Sequence, residues 1–234
     1  MQAQFSEYEA EVLSVQDPLE EHRIIRFKLL EPRTIDFVPG QFVQVMIEGI
    51  PKPASFSIAS SPNDKEHIEL AFHTVGQVTG ILAKMIPGMK CKLRGPLGRF
   101  TYTADDGDVV ALAGGVGITP FICALRFVRD NKLPNKYSLI YSGKNKKALL
   151  YYDEIEEMAQ SHDNIDFIPT LTRELPDGWS GEHRRCDAAM ITANVPDYKE
   201  RTFYLCGPKP YLDAMIAILK ELDIPDTQIK RELW

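Results

Sequence analysis

Cysteine is scarce in the 234-residue sequence, and the four present, Cys91, Cys123, Cys186 and Cys206, form no Cys-x-x-Cys pair. That spacing excludes a zinc ribbon, an iron–sulfur cluster or a disulfide framework built from neighbouring cysteines, so any thiol that matters acts singly. Positive charge is also in short supply. With 27 Lys and Arg against 33 Asp and Glu the net charge is −6, a balance that argues against a nucleic-acid binder. Long apolar runs are missing too. The longest uncharged stretch, Val109 to Leu125, is interrupted by Gly114, Gly115, Gly117 and Pro120, so no membrane span is expected. The first residues carry Glu7 and Glu9 and no basic-then-apolar pattern. Neither a secretory signal nor a transit peptide is therefore expected, and a cytoplasmic location is. Internal repeats and low-complexity segments are absent. What remains, 44% hydrophobic and 26% charged residues, is the composition of an ordinary globular protein able to bury a core.

Two patterns divide the chain. From Glu9 to about Arg94, six short strand-like runs are separated by turn chemistry such as Val38-Pro39-Gly40 and Pro62-Asn63-Asp64. They are Glu11–Val15, His22–Leu29, Gln41–Ile47, Ala54–Ala59, His67–Thr74 and Lys90–Arg94, and six such strands suggest a small antiparallel barrel. The one helix-like piece among them is Gly80–Ile86, which Thr79 would cap and Pro87-Gly88 would end. From Asp108 onward, apolar strand runs (Val109–Ala113, Tyr137–Tyr141, Ile165–Pro169 and Thr202–Cys206) alternate with helical patterns. The clearest helix is Lys209–Leu222, with Leu212, Met215, Ile216, Leu219 and Leu222 on one face. Alternating β and α elements imply a parallel, Rossmann-like sheet with right-handed crossovers. The expected architecture is thus a six-stranded barrel in residues 1–103 and an α/β nucleotide-binding domain in residues 108–234.

Two motifs carry chemistry on their own. In the first, Gly114-Gly115-Val116-Gly117-Ile118-Thr119-Pro120 follows a buried strand and opens a helix. A backbone without Cβ atoms can approach a pyrophosphate closely, and the helix start offers N–H groups to it. Pro120 departs from G-x-G-x-x-G, yet it is tolerated in a first helical turn. In the second, Cys206-Gly207-Pro208 sits at the carboxyl end of another parallel strand, the edge at which open α/β sheets bind ligands.

Together these residues resemble the ferredoxin-NADP reductase-like family, flavin enzymes with a barrel and a nucleotide-binding domain, over nearly the whole chain. In that family an Arg-x-(Tyr/Phe)-Ser stretch holds the flavin, and Ala54-Ser55-Phe56-Ser57 is similar to it. The resemblance implies that Phe56 stacks on the isoalloxazine, that the Ser57 hydroxyl bonds the nitrogen accepting hydride, and that Gly76-Gln77-Val78-Thr79 holds the FAD pyrophosphate. It further implies that the Gly114–Pro120 loop and Cys206-Gly207-Pro208 hold the nicotinamide dinucleotide. One position departs: Ala54 stands where the family has a phosphate-pairing arginine, and either Lys52 or His73 is a candidate replacement. Glu232-Leu233-Trp234 resembles the family's terminal Glu-x-aromatic, which places the Glu232 carboxylate and the Trp234 ring beside the flavin.

The second parallel strand leads into Ser142-Gly143-Lys144-Asn145-Lys146-Lys147 with no acid until Asp153, whereas NAD-selective folds usually place an acid there. Thr172-Arg173-Glu174 also resembles the family's phosphate-binding Ser-Arg-Glu. Ser142, Lys144, Thr172 and Arg173 are accordingly nucleotide candidates, with NADP(H) favoured over NAD(H). The function expected is hydride transfer from NAD(P)H to bound FAD, with Ser57, Cys206 and Glu232 as the catalytic candidates. Electrons would then pass to a separate acceptor, a ferredoxin-like or other redox protein or a small molecule. The alternatives are an NAD(P)H:flavin reductase that uses free flavin as substrate and a nucleotide-binding electron-transfer subunit of a larger complex.

Overall fold

The computed structural model of the protein describes residues 5–19 and 21–232. Its contacts form two units: one holds the chain up to Tyr102 together with Ile122–Asp130, the other Thr103–Phe121 and the chain from Asn131 onward.

The first unit is a six-stranded antiparallel sheet made of β1 (Ser6–Leu19), β2 (His22–Glu31), β3 (Phe42–Met46), β4 (Ala54–Ser57), β5 (His67–His73) and β6 (Lys90–Leu97), in the order β4-β3-β6-β1-β2-β5. Just beyond β4, the Ala59 N–H donates to the Glu69 carbonyl on β5 at 2.8 Å, which brings the two edge strands together into a nearly closed barrel. Alternation explains the interior. Phe27, Leu29, Val43, Val45, Ile68, Leu70 and Leu93 point inward with almost no exposure, while the residues between them, such as Lys28, Gln44 and Glu69, are exposed or only partly buried.

Helix α1 spans Gln77–Leu82, three residues earlier than its expected start at Gly80. Gly76 takes the N-cap position and Thr79 becomes the third helical residue. The Thr79 Oγ1 accepts from the Val75 and Gly76 N–H groups at 3.0 and 2.9 Å and donates to the Gly76 carbonyl at 3.1 Å. A hydroxyl three residues into a helix can close back on the cap in this way, so Thr79 fixes the helix start from inside.

The second unit holds a five-stranded sheet of β7 (Val109–Gly114), β8 (Tyr137–Gly143), β9 (Ile165–Leu171), β10 (Thr202–Cys206) and β11 (Ile229–Glu232), in the order β11-β10-β7-β8-β9. All four pairings are parallel. Every residue of β7 and β8 is buried, as continuous apolar runs require of strands covered on both faces. Strand β11 is absent from the sequence reading because Ile-Lys-Arg-Glu carries neither an apolar run nor clean alternation. It forms as an edge partner of β10. Helices α2 (Thr119–Asn131), α3 (Tyr152–Ser161), α4 (Ala188–Asn194) and α5 (Lys209–Glu221) supply the other layers. Among the described residues no helix is long and apolar enough to cross a membrane.

Candidate nucleotide and flavin sites

In the barrel unit, β4 carries both flavin candidates. Phe56 is buried and its ring tilts on Phe72 at 5.5 Å between centroids. Ser57 is 3% exposed, and its Oγ meets no hydrogen-bond partner among the described residues. A buried hydroxyl left unsatisfied costs free energy that a ligand acceptor or donor would recover. Gly76 keeps space open, since a Cβ there would meet only the Thr79 Oγ1, at 3.9 Å. An orphaned hydroxyl on β4 and a side-chain-free cap at α1 fit a flavin and its pyrophosphate.

The phosphate cation is less well supplied. Strand β4 begins at Ala54 and Lys52 lies exposed in the turn before it, so no strand alternation aims Lys52 at the face of residue 54. Pro53 ends the ladder by lacking an N–H. The His73 Nε2 lies 2.8 Å from the Glu21 carboxylate and its ring sits 4.8 Å from that of His22. Gln77 and Val78 occupy the first helical turn beside Gly76.

In the second unit the two nucleotide motifs converge. Strands β7 and β10 are neighbours, and from β7 the chain proceeds to β8 on the other side, which makes their carboxyl edge a topological switch point. A Cβ placed on Gly117 would lie 2.3 Å from the Cys206 carbonyl oxygen and 2.7 Å from the Gly207 nitrogen. Only glycine permits this approach of backbones, so the Gly-rich loop and the Cys206-Gly207-Pro208 turn are in direct contact. Gly115 holds a φ of +56°, and the Tyr141 hydroxyl donates to its carbonyl at 3.0 Å. A short 3-10 turn, Gly115–Ile118, then leads into α2, where Thr119 and Pro120 form the first positions and the Thr119 hydroxyl bonds the Val116 carbonyl. The Tyr211 ring packs where a Cβ on Gly114 or Gly207 would fall. Tyr141 and Tyr211 support these loops and were missed by the sequence reading, because the glycines Tyr141 and Tyr211 meet in the Gly114–Pro120 loop are remote from them in sequence.

Cys206 is fully buried at the end of β10, in register with Ala113 on one side and Glu232 on the other. Residues in register on parallel strands share a face. Burial pushes the Glu232 carboxyl above its ordinary pKa. Trp234 lies outside the described residues.

The loops after β8 and β9 are stitched together. The Thr172 N–H and Oγ1 both donate to the Gly143 carbonyl, and the Arg173 and Glu174 N–H groups both donate to the Lys144 carbonyl. Lys144, Lys147 and Arg173 are exposed there and Ser142 is buried. One acid joins them. The Asn145 Nδ2 donates to the Glu174 Oε2 at 3.1 Å, which places a carboxylate from the β9 loop beside the end of β8. The sequence reading looked for that acid along the β8 loop itself. The register Gly143↔Leu171 supplies it from the neighbouring strand instead.

Comparisons with known proteins agree with both halves. Residues 10–102 match the oxidoreductase FAD-binding domain family and residues 111–217 the oxidoreductase NAD-binding domain family. The glycine betaine monooxygenase reductase subunit of Pseudomonas aeruginosa is 31% identical over 85% of this chain and 56% of its own length. The propane 2-monooxygenase reductase component of Mycolicibacterium goodii is 29% identical over 94% of this chain and 65% of its own. This chain thus spans a little more than half to about two thirds of these curated relatives. Among solved structures, an Amycolatopsis cytochrome P450 reductase superposes with a TM-score of 0.85 at 22% identity, covering 99% of this chain and 71% of that one. A Neisseria gonorrhoeae ferredoxin NADP+ reductase with bound FAD and NADP does so with a TM-score of 0.78 at 22% identity, covering 99% of both chains. With the two domain models following one another along the chain and the fold shared throughout, the protein belongs to the ferredoxin-NADP reductase-like family of oxidoreductases.

Proposed function

We propose that the protein oxidises a reduced pyridine nucleotide, passes the hydride to FAD and delivers electrons onward to a separate acceptor. The observation that carries this reading is the contact of the Gly117 loop with the Cys206-Gly207 turn at the switch point, a preformed edge for a dinucleotide. When bound, the flavin supplies a two-electron acceptor that can release electrons one at a time. In this reading the Ser57 hydroxyl makes the hydrogen bond at the hydride-accepting nitrogen that its burial leaves unmade in the protein alone. Cys206 and Gly207 wall the nicotinamide edge, Phe56 lies against the ring system, and Glu232, its carboxyl held protonated to higher pH than usual, manages a proton. Positioning accounts for most of the rate, because it turns a two-body step into an effectively unimolecular one.

The finer reading is that NADPH is favoured, through the exposed Lys144, Lys147 and Arg173 and the Thr172 hydroxyl, with Glu174 as a counter-charge on the same pair of loops. The acceptor is a redox protein or a small molecule; the P. aeruginosa and M. goodii relatives are themselves named as reductase parts of monooxygenases. A cytoplasmic setting belongs to the same proposal. Anaerobic addition of NADPH to purified protein loaded with FAD tests it through the visible spectrum. Bleaching of the flavin band within a turnover time is expected. A flavin that binds but stays oxidised would overturn the hydride path, and a protein that retains no FAD would favour the reading in which free flavin is a substrate.

A further inference from the structure

Arg126 sits on the stretch of α2 that packs with the barrel, and it is a buried cation with two partners there. Its Nη1 donates to the Glu69 Oε1 at 2.7 Å and to the Ala59 carbonyl at 2.8 Å, and the two side chains are only 13% and 14% exposed. The Ala59 N–H is already bound to the Glu69 carbonyl, and the Glu69 N–H donates to the Ser60 Oγ at 3.1 Å. Ala59 is therefore fixed at both its N–H and its C=O, two residues beyond Ser57. One turn further along the same helix face, Asp130 accepts from the Ser61 hydroxyl. One turn earlier, Cys123 is buried in the barrel's apolar cluster.

An apolar pair of similar volume would hold a helix against a barrel as firmly as this ion pair does, since the attraction of a buried pair roughly repays its desolvation. What an apolar pair does not do is hold a carbonyl oxygen and a carboxylate at once, as the two N–H groups of the Arg126 Nη1 do. We infer that Arg126 is a positioning residue for the flavin: by clamping Ala59 to Glu69 it sets where β4 ends and hence where the Ser57 hydroxyl is aimed. The inference rests on the flavin reading above.

The test replaces the pair as a whole, because removing one partner would strand a buried charge. In the FAD-loaded full chain, Arg126→Met with Glu69→Leu is expected to keep the unfolding midpoint of the wild type while weakening FAD binding about tenfold and shifting the flavin reduction potential. Arg126→Lys, which keeps the charge but not the planar group that reaches both oxygens, is expected to keep the midpoint near that of the wild type and to bind FAD more tightly than the double variant but less tightly than the wild type. Asp130→Asn, which touches the same helix face but not Ala59, should lower the midpoint and leave the potential unchanged. A double variant with wild-type FAD affinity and potential overturns the inference, and so does an Asp130→Asn protein whose potential moves as far as that of the double variant. A wild-type chain that takes up no FAD overturns the flavin reading itself, an outcome distinct from both.

Discussion

Single side chains decide the chemistry, and Ser57 is the most exposed to test. Its hydroxyl is buried without a partner, so Ser57→Ala removes a polar group whose missing bond already costs stability. The protein alone should be no less stable for the change. Flavin reduction by NADPH, followed by stopped flow, should slow about 10- to 100-fold, the range for a hydrogen bond to a group that gains charge, while NADPH affinity stays near wild type. An unchanged rate removes Ser57 from the mechanism. Glu232 gives a pH prediction. Burial raises its folded pKa above the unfolded value, so the native state binds more protons in the window just above the ordinary carboxylate range. Stability is therefore lost as pH rises through that window. Glu232→Gln should flatten this part of the curve of unfolding midpoint against pH, and a curve identical to that of the wild type would mean that the carboxyl ionises as freely as in the unfolded chain. At Glu174 the selectivity is tested. Glu174→Gln removes the carboxylate that Asn145 holds on the loops of Lys144 and Arg173, and the ratio of kcat/KM for NADPH over NADH should rise about tenfold if a single charge contact with the extra phosphate is at stake. A constant ratio would place Glu174 outside the ribose site.

Elements were legible in the sequence to the extent that their patterns were local. Strands β7 and β8 are covered on both faces, so they had to be unbroken apolar runs, and Val109–Ala113 and Tyr137–Tyr141 read as such. The barrel strands showed themselves through alternation and through the Pro and Gly turns between them. Helix α1 was misplaced by three residues because Thr79 reads as an N-cap by residue type, whereas its hydroxyl closes on Gly76 from the third position. What escaped was what depends on contacts between elements distant in sequence: β11 at the edge, the Asn145–Glu174 bridge, the tyrosines packed on the Gly114–Gly115 turn, and the seating of Arg126 on Glu69. The contact of the loops after β7 and β10 is also of this kind, and it yields a prediction. Gly117→Ala forces a methyl group into the Cys206 carbonyl and should destabilise the protein by about 1–3 kcal/mol, the cost of overpacking. Nucleotide affinity should fall as well, because the loop must retreat from the edge it forms. Chemical denaturation and nucleotide titration read the two effects separately, and a variant with normal stability would show that the loops part without strain.

For the molecule as a whole the open matter is whether the flavin stays or leaves, and position 54 bears on it most directly. The family's phosphate-pairing arginine is Ala54, partly buried against the barrel core, and Lys52 is set off from β4 by Pro53. In the proposed reading FAD retention then rests on the space at Gly76, the first turn of α1 and the contacts of Phe56 and Ser57, none of which brings a full charge to the pyrophosphate. If that is the weak point, Ala54→Arg should tighten FAD binding about 10- to 100-fold, as a charge-assisted bidentate contact does. Riboflavin, which has no phosphate, should bind as before, so a fluorescence titration with both ligands separates a gained phosphate contact from a general change in the barrel. Tighter FAD with unchanged riboflavin would identify the wild-type protein as a reductase that exchanges its flavin more readily than an arginine-bearing relative. Equal affinity of the wild-type chain for FAD and riboflavin, unmoved by the arginine, would mean that the pyrophosphate finds no seat at Gly76. The flavin would then be a substrate passing through the barrel.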